Sequence, residues 1–304
     1  MPGNTEWAEI REVGFIAGMR FILWIYRNVG AWAIKFALQP VVFYYFITNG
    51  DARNSSLQFL HRVSLIDDAV KPTRQDVYRH LYSFAQSTVD KLGVWANSDI
   101  LSNVIFENRE LLLEQLESKR GAVLLGAHLG NMEICRSLSR ANTKLKLNIL
   151  VHTRHADMFN RLLKELHVES ELELIEVTQL SPATAIRLAE CVERGEFVAI
   201  LADRLPVASN TRSRRVAFLG AEASFPEGPF ILASLLKCPV YTIFCTRSGE
   251  GYRIRCDRFS GQVQLPRNNR DAALEKYISR YAAVLEHNVL RSPYQWFNFY
   301  SFWD

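Results

Sequence analysis

The chain has 304 residues, of which 48% are hydrophobic and 22% are charged. This composition excludes a disordered or low-complexity chain, and the length excludes a scaffold that depends on disulfides alone. The net charge of +4 is too small to predict a nucleic-acid partner, and five cysteines without a C-x-x-C pair favour reduced thiols and no metal site.

The first predicted element is an N-terminal helical segment, residues 1–50, rich in aromatic side chains. Residues 13–50 contain no acidic residue and three basic ones, Arg20, Arg27 and Lys35. Basic charge combined with Trp and Tyr is typical of a segment lying at a bilayer interface. The longest charge-free run, Phe36–Gly50, has fifteen residues, fewer than the roughly 20 of a spanning helix, and Pro40 is expected to break a helix. We therefore expect an interfacial anchor; a packed helical hairpin and a true span are the alternatives.

Residues 51–117 are predicted to form a helical region packed on the core, with a helix capped by Thr73. Residues 118–304 are predicted to form an α/β core with a mixed central sheet flanked by helices, because β-rich runs alternate with helical patterns. The predicted strands are Ala122–Ala127, Leu147–His152, Leu172–Val177, Phe197–Ala202, Val240–Thr246 and Tyr252–Cys256. The predicted helices are about Asn131–Asn142, Asp157–His167, Pro182–Arg194, Glu227–Lys237 and Asp271–Leu290. The aromatic tail that follows either docks on the membrane or folds back as core.

The first strand of the core ends in a sequence that can carry chemistry, Gly126-Ala127-His128-Leu129-Gly130-Asn131-Met132-Glu133. A histidine at a strand end can serve as a general base at neutral pH. Glu133, five positions later, is expected to bond the other ring nitrogen of His128 and to stabilise the imidazolium. The neighbouring small residues, such as Gly130, would allow a substrate to approach the backbone closely, so that N–H groups stabilise an oxyanion.

Two alternatives to this site remain open. His128 could be a structural histidine at the sheet edge, and His152 with Asp157 shows the same spacing. The chain has no G-x-S-x-G, G-x-x-x-x-G-K-[ST], G-x-G-x-x-G or H-E-x-x-H sequence. This disfavours a serine hydrolase, a P-loop nucleotidase, a dinucleotide-dependent enzyme and a zincin.

Three ordered blocks and the aromatic N-terminus resemble the bacterial lipid A biosynthesis (late) acyltransferase family, within the lysophospholipid acyltransferase superfamily. The first block is His128–Glu133, the second is Ile200–Arg204, and the third is the Phe-Leu-Gly of 218–220 with the prolines of 226–240. Two residues depart from the family pattern: Arg204 stands where Gln is common, and Met132 where a bulky residue is common. Both departures bear on the identity of the acceptor more than on the reaction. A related branch of predicted acyltransferases, acting on aryl-polyene or other lipid conjugates, is an alternative to the lipid A enzymes.

The resemblance implies an enzyme that moves a fatty acyl group from an acyl-carrier-protein or coenzyme A thioester to a hydroxyl of a membrane lipid, with no metal or other cofactor. It implies a peripheral or monotopic location on the cytoplasmic face of the bacterial inner membrane. His128 and Glu133 would be catalytic. The residues expected to bind substrate are Gly130, Asn131, Asp203, Arg204, Arg212, Arg214, Arg215, Pro226 and Gly228. A catalytically silent lipid-binding protein of the same fold is the alternative.

Overall fold

The computed structural model describes residues 29, 31–95, 103–135, 145–151, 173–176, 182–205 and 212–303. The strands in these ranges are β1 (Val104–Glu107), β2 (Val123–Gly126), β3 (Leu147–Val151), β4 (Glu173–Glu176), β5 (Phe197–Leu201), β6 (Ser213–Phe218), β7 (Ala221–Pro226), β8 (Val240–Ser248) and β9 (Gly251–Ser260). Seven of them form one sheet in the order β1-β9-β8-β2-β5-β3-β4, and β6 and β7 form a separate antiparallel hairpin.

The central sheet is mixed, which confirms the predicted α/β class. The strands β8, β2, β5, β3 and β4 run parallel to one another, whereas β9 and the edge strand β1 run in the opposite direction. All four residues of β2 are buried, as expected for a strand covered on both faces. Because β2 and β5 are parallel neighbours, their carboxyl ends lie side by side at the same end of the sheet.

Helices flank this sheet, and most follow the predicted pattern. They are α1 (Ala31–Thr48), α2 (Gly50–Ser64), α3 (Arg74–Trp95), α4 (Arg109–Glu117), α5 (Pro182–Glu193), α6 (Gly228–Leu236) and α7 (Arg270–Arg291), with a helical turn at 132–135. Thr73 and Asp76 cap α3 reciprocally, since the N–H of each is bonded to the side chain of the other. This capping box confirms the predicted helix start.

The prediction that Pro40 breaks the N-terminal helix is wrong. Helix α1 continues through Pro40 to Thr48. Ile34, Leu38 and Val42 are buried on one side of this helix, and tertiary packing of that face stabilises a helix that the proline weakens locally. Within the described residues, no helix combines the length and the apolar character needed to cross a membrane. The first 28 residues of the predicted anchor lie outside the described residues.

The aromatic C-terminal tail folds back into the core. Trp296 is completely buried, and Phe302 and Trp303 are nearly so. The indole of Trp296 contacts the rings of Phe59 from α2 and Phe218 from β6, so the tail joins the helical region to the hairpin. The sequence left open whether the tail docks on the membrane or folds back as core, and the structure shows that it folds back as core.

Candidate active site

The register of the central sheet brings His128 and Asp203 together. In the parallel pair of β2 and β5, Gly126 is aligned with Leu201. The amide of Ala202 extends the ladder by donating to the carbonyl of Gly126 at 3.0 Å. His128 and Asp203 each stand two residues beyond that last aligned pair, so both side chains emerge at the same sheet edge.

Asp203 holds His128 by two hydrogen bonds. Nδ1 of the imidazole lies 2.8 Å from Oδ1 of Asp203, and the backbone N–H of His128 donates to Oδ2 at 2.9 Å. Because an ionised carboxylate only accepts hydrogen bonds, Nδ1 carries the proton in this arrangement and Nε2 carries the lone pair. The ring is thereby oriented with its basic nitrogen away from the carboxylate.

Burial differs sharply between the two partners. The side chain of His128 is 31% exposed, whereas that of Asp203 is completely buried. Burial raises the pKa of Asp203, but the charge and hydrogen bonds of His128 and the charge of Arg204 outweigh this effect, so its pKa lies below the usual value. The carboxylate is therefore ionised at neutral pH and available to stabilise an imidazolium. Its burial beside His128 favours a positioning role, and binding of an acceptor headgroup by Asp203 stays a prediction.

A second layer of buried groups supports Asp203. Trp296 donates its indole N–H to Oδ2 at 3.1 Å. The backbone carbonyl of Trp296 lies 2.9 Å from Nε2 of the buried His80, whose Nδ1 is 2.8 Å from the hydroxyl of Ser56. Burial lowers the pKa of His80 to about 4, despite its hydrogen bond to Trp296. His80 is therefore neutral at physiological pH and acts as a fixed donor to the tail.

Gly130 and Asn131, both predicted to bind substrate, make hydrogen bonds within the protein. The N–H of Gly130 donates to the carbonyl of Gln295 at 2.7 Å, and the N–H of Asn131 donates to that of Cys245 at 2.7 Å. Both amides are thus occupied within the protein. Stabilisation of an oxyanion by other backbone N–H groups near Gly130 stays a prediction. The side chain of Asn131 is buried and donates to the carbonyl of Ser87 at 3.2 Å. These two residues anchor the loop that carries His128.

Glu133 lies on the helical turn that follows this loop. Its N–H donates to Oδ1 of Asn131 at 3.2 Å. Its carboxylate acts electrostatically on Lys91 of α3: burial lowers the pKa of Lys91, Glu133 raises it, and Arg204 lowers it again. At Nδ1 of His128, the structure has Asp203 where the sequence predicted Glu133. A catalytic role for Glu133 stays a prediction.

Arg204 follows Asp203 into the same region. Its guanidinium donates to the carbonyl of Phe297 and lies over the ring of Tyr300, 5.8 Å from the ring centre. Within the described residues, its buried Nε atom has no hydrogen-bond partner. Burial lowers the pKa of Arg204, while Asp203 and Tyr300 raise it. Arg204 therefore remains a candidate for binding a polar part of a substrate.

The remaining predicted binding residues lie on the hairpin of β6 and β7 or directly beside it. Arg214 is paired with Glu227 and Asp271, both at 3.0 Å, so it is engaged within the protein instead of being held free for an acceptor. Arg215 lies 3.5 Å from Glu222, and Arg212 is exposed. Pro226 ends β7 and Gly228 begins α6. The alternative pair of His152 and Asp157 lies outside the described residues.

One feature of the sequence could have predicted the contact between His128 and Asp203. Each residue stands immediately beyond a predicted strand of similar length and composition. Sequence reasoning chose Glu133 because of its short spacing from His128, whereas Asp203 is 75 positions away. The supporting residues Trp296 and His80 carry no local signal that separates them from other buried aromatic residues.

The fold and site together define a class of α/β proteins in which a central strand presents a carboxylate-paired histidine at its carboxyl end. The chain belongs to the bacterial lipid A biosynthesis acyltransferase family, whose model matches residues 77–304. The match includes most of α3, the sheet, the hairpin and the tail, and it confirms the family indicated by the sequence blocks. A comparison with curated proteins found no match.

Proposed function

We propose that the protein is an O-acyltransferase that moves a fatty acyl group from an acyl-carrier-protein or coenzyme A thioester to a hydroxyl of a membrane lipid. Family membership supports the coarser part of this statement, acyl transfer to a lipid. The acceptor is a lipid A precursor or another glycolipid. The observation that carries the proposal is the imidazole of His128, held by a buried carboxylate and partly open to solvent.

The proposed reaction uses Nε2 of His128 as a general base. Nε2 takes the proton of the acceptor hydroxyl while the oxygen attacks the thioester carbonyl, giving a tetrahedral oxyanion and an imidazolium. Collapse of this intermediate breaks the carbon–sulfur bond, and the thiolate that leaves receives the proton from the imidazolium. The products are an ester and a free thiol.

Asp203 is the positioning residue of this proposal. Its two hydrogen bonds to His128 fix the tautomer in which Nε2 is basic, and its negative charge stabilises the imidazolium that forms. Because Trp296 also donates to this carboxylate, Asp203 cannot rotate without breaking several bonds at once. The imidazole is therefore held in place before the substrate arrives.

Helix α1 supports association with a bilayer surface. Its exposed apolar face contains Phe36, Val41, Phe43, Tyr44, Tyr45 and Ile47, with exposed fractions between 43% and 72%. Contiguous apolar surface of this kind marks an interaction site, and the aromatic rings suit the headgroup region of a membrane. The proposed location is the cytoplasmic face of the inner membrane, with the helix lying in the interface.

An acyl-transfer assay tests the proposal. Purified protein is incubated with a radiolabelled acyl-carrier-protein or acyl coenzyme A thioester and bacterial membrane lipid, and labelled lipid product is followed. We expect product with wild-type protein and a decrease of about 10²–10⁴-fold for His128→Ala, since that is the usual contribution of a general base. His287→Ala is the matched control, because His287 lies on α7, outside the site. Lipid binding without turnover across both donors would select the silent lipid-binding alternative.

A further inference from the structure

A cleft lined by four arginines lies between the sheet and the end of α7. Its volume is about 290 Å³, and its floor is the face of β8 and β9 that carries Thr246, Arg253 and Arg255. Thr246 is directly opposite Arg253 in the antiparallel pair, so these side chains share one face of the sheet. Arg291, the last residue of α7, and Arg247 complete the cationic lining.

Acidic partners neutralise only part of this charge. Among the described residues of the lining, Glu107 is the only acidic one; it is paired with Arg253 and lies 3.6 Å from Arg255. Arg255 is also paired with Asp257 at 2.7 Å, and Arg247 with Asp90 at 2.8 Å.

Four guanidinium groups thus face three carboxylates. Within the part of the chain that the structure describes, Arg291 has neither an ion pair nor a side-chain hydrogen bond. Each guanidinium carries five N–H donors, and the ion pairs named above use only some of them.

The size and chemistry of the cleft define its ligand. Of its ten lining residues in the described part of the chain, all but Phe244 are polar or charged, so the cleft does not suit an acyl chain. The volume is at the lower end of the roughly 300–1,000 Å³ of small-molecule sites, and it suits a headgroup-sized group. Arginine forks match the oxygens of phosphate, and a phosphate would supply the negative charge that the cleft lacks.

Gln295 connects the cleft to the catalytic loop, the loop after β2 that carries His128 and Gly130. The side chain of Gln295 accepts from the N–H of Arg247 at 2.6 Å and donates to the carbonyl of Arg247 at 2.9 Å. The carbonyl of Gln295 accepts from the N–H of Gly130, two residues from His128. From this geometry we infer that the arginine cleft binds the phosphate ester of one of the two substrates. The identity of the ligand as a substrate rests on the proposed function, whereas phosphate binding itself does not.

Direct binding is tested with inorganic phosphate as the probe. Thermal unfolding of wild-type protein is followed at low ionic strength as phosphate is added, with chloride at matched ionic strength as the reference. We expect phosphate to raise the Tm. Arg291→Gln and Arg253→Gln should each weaken phosphate binding by about tenfold, the usual effect of losing one charged hydrogen-bonding partner. Arg258→Gln, on the same strand but outside the cleft, should bind like wild type.

Kinetics with each substrate varied in turn distinguish the two sources of phosphate. A higher KM for the thioester in Arg291→Gln assigns the cleft to the donor, and a higher KM for the lipid assigns it to the acceptor. Absence of a phosphate effect on the wild-type Tm, or unchanged KM values for both substrates, would overturn the inference. If phosphate binds but no donor supports turnover, the proposed function fails and the phosphate site stands.

Discussion

The indole of Trp296 donates a hydrogen bond to Oδ2 of Asp203 at 3.1 Å, although the two residues are 93 positions apart. Through this bond, the C-terminal tail becomes part of the apparatus that holds His128. We expect Trp296→Phe to lower the free energy of unfolding by about 1–3 kcal/mol, because a buried carboxylate loses a donor. The measurement is urea unfolding at pH 7.

Trp303→Phe is the matched control for that variant. Trp303 donates its indole N–H to the neutral backbone carbonyl of Phe218 at 3.2 Å and is similarly buried. Hydrogen bonds to charged groups are stronger than those to neutral groups. Trp303→Phe should therefore lower the free energy of unfolding by less than Trp296→Phe does. The reverse order would contradict the role assigned to Trp296.

The buried His80 makes stability depend on pH. Its pKa is about 4 in the folded protein and 6.5 when unperturbed. Between these values the unfolded chain binds a proton that the folded protein does not, so stability falls as the pH is lowered below about 6.5. Unfolding at pH 7.5 and pH 5 should differ by about 2 kcal/mol from this group. His80→Leu should flatten this part of the curve, whereas His61→Gln, at an exposed position of α2, should leave it unchanged. An equally steep curve for His80→Leu would disprove the assignment.

A substitution at Gly130 tests how closely the catalytic loop packs against β8. Its φ is +72°, and an added Cβ would lie 1.9 Å from the carbonyl oxygen of Cys245. Gly130→Ala should therefore displace the loop, lower the rate of acyl transfer and destabilise the protein. Gly220→Ala is the matched control, because Gly220 has a φ of +75° but nothing within 4 Å of its added Cβ. It should cost only the backbone strain, about 1–2 kcal/mol. Similar losses for both variants would argue against the close approach of the loop to β8.

The apolar face of α1 can be tested with vesicles. Replacing Phe36 and Tyr44 together by Ser removes two side chains that are 72% and 69% exposed. We expect weaker cosedimentation with vesicles of phosphatidylethanolamine and phosphatidylglycerol, because less apolar surface enters the interface. Ile186→Ser, at a 62% exposed position on α5, is the control and should bind like wild type. Unchanged cosedimentation of the double variant would argue against α1 as the membrane-facing element.

Local sequence patterns predicted the strands that carry the site residues. Which of these residues are in contact depends on how the strands pair in the sheet. The composition of 122–127 and 197–202 was sufficient to predict β2 and β5. That these strands are neighbours with Gly126 opposite Leu201 depends on sheet order, which no local pattern carries. The spacing rule consequently favoured Glu133, one turn away, over Asp203. The hairpin of β6 and β7 was not predicted for a related reason, since the strand character of β6 depends on its pairing with β7.

Asp203 is the carboxylate that positions His128 in the proposed mechanism, and Asp203→Asn tests this role most directly. An amide at this position can donate to Nδ1 and favour the wrong tautomer, so kcat for acyl transfer should fall by about 10²–10⁴-fold while the protein stays folded. Glu133→Gln, measured beside it, should have the smaller effect. A near-normal kcat for Asp203→Asn together with an inactive Glu133→Gln would contradict the account and restore Glu133 as the partner of His128.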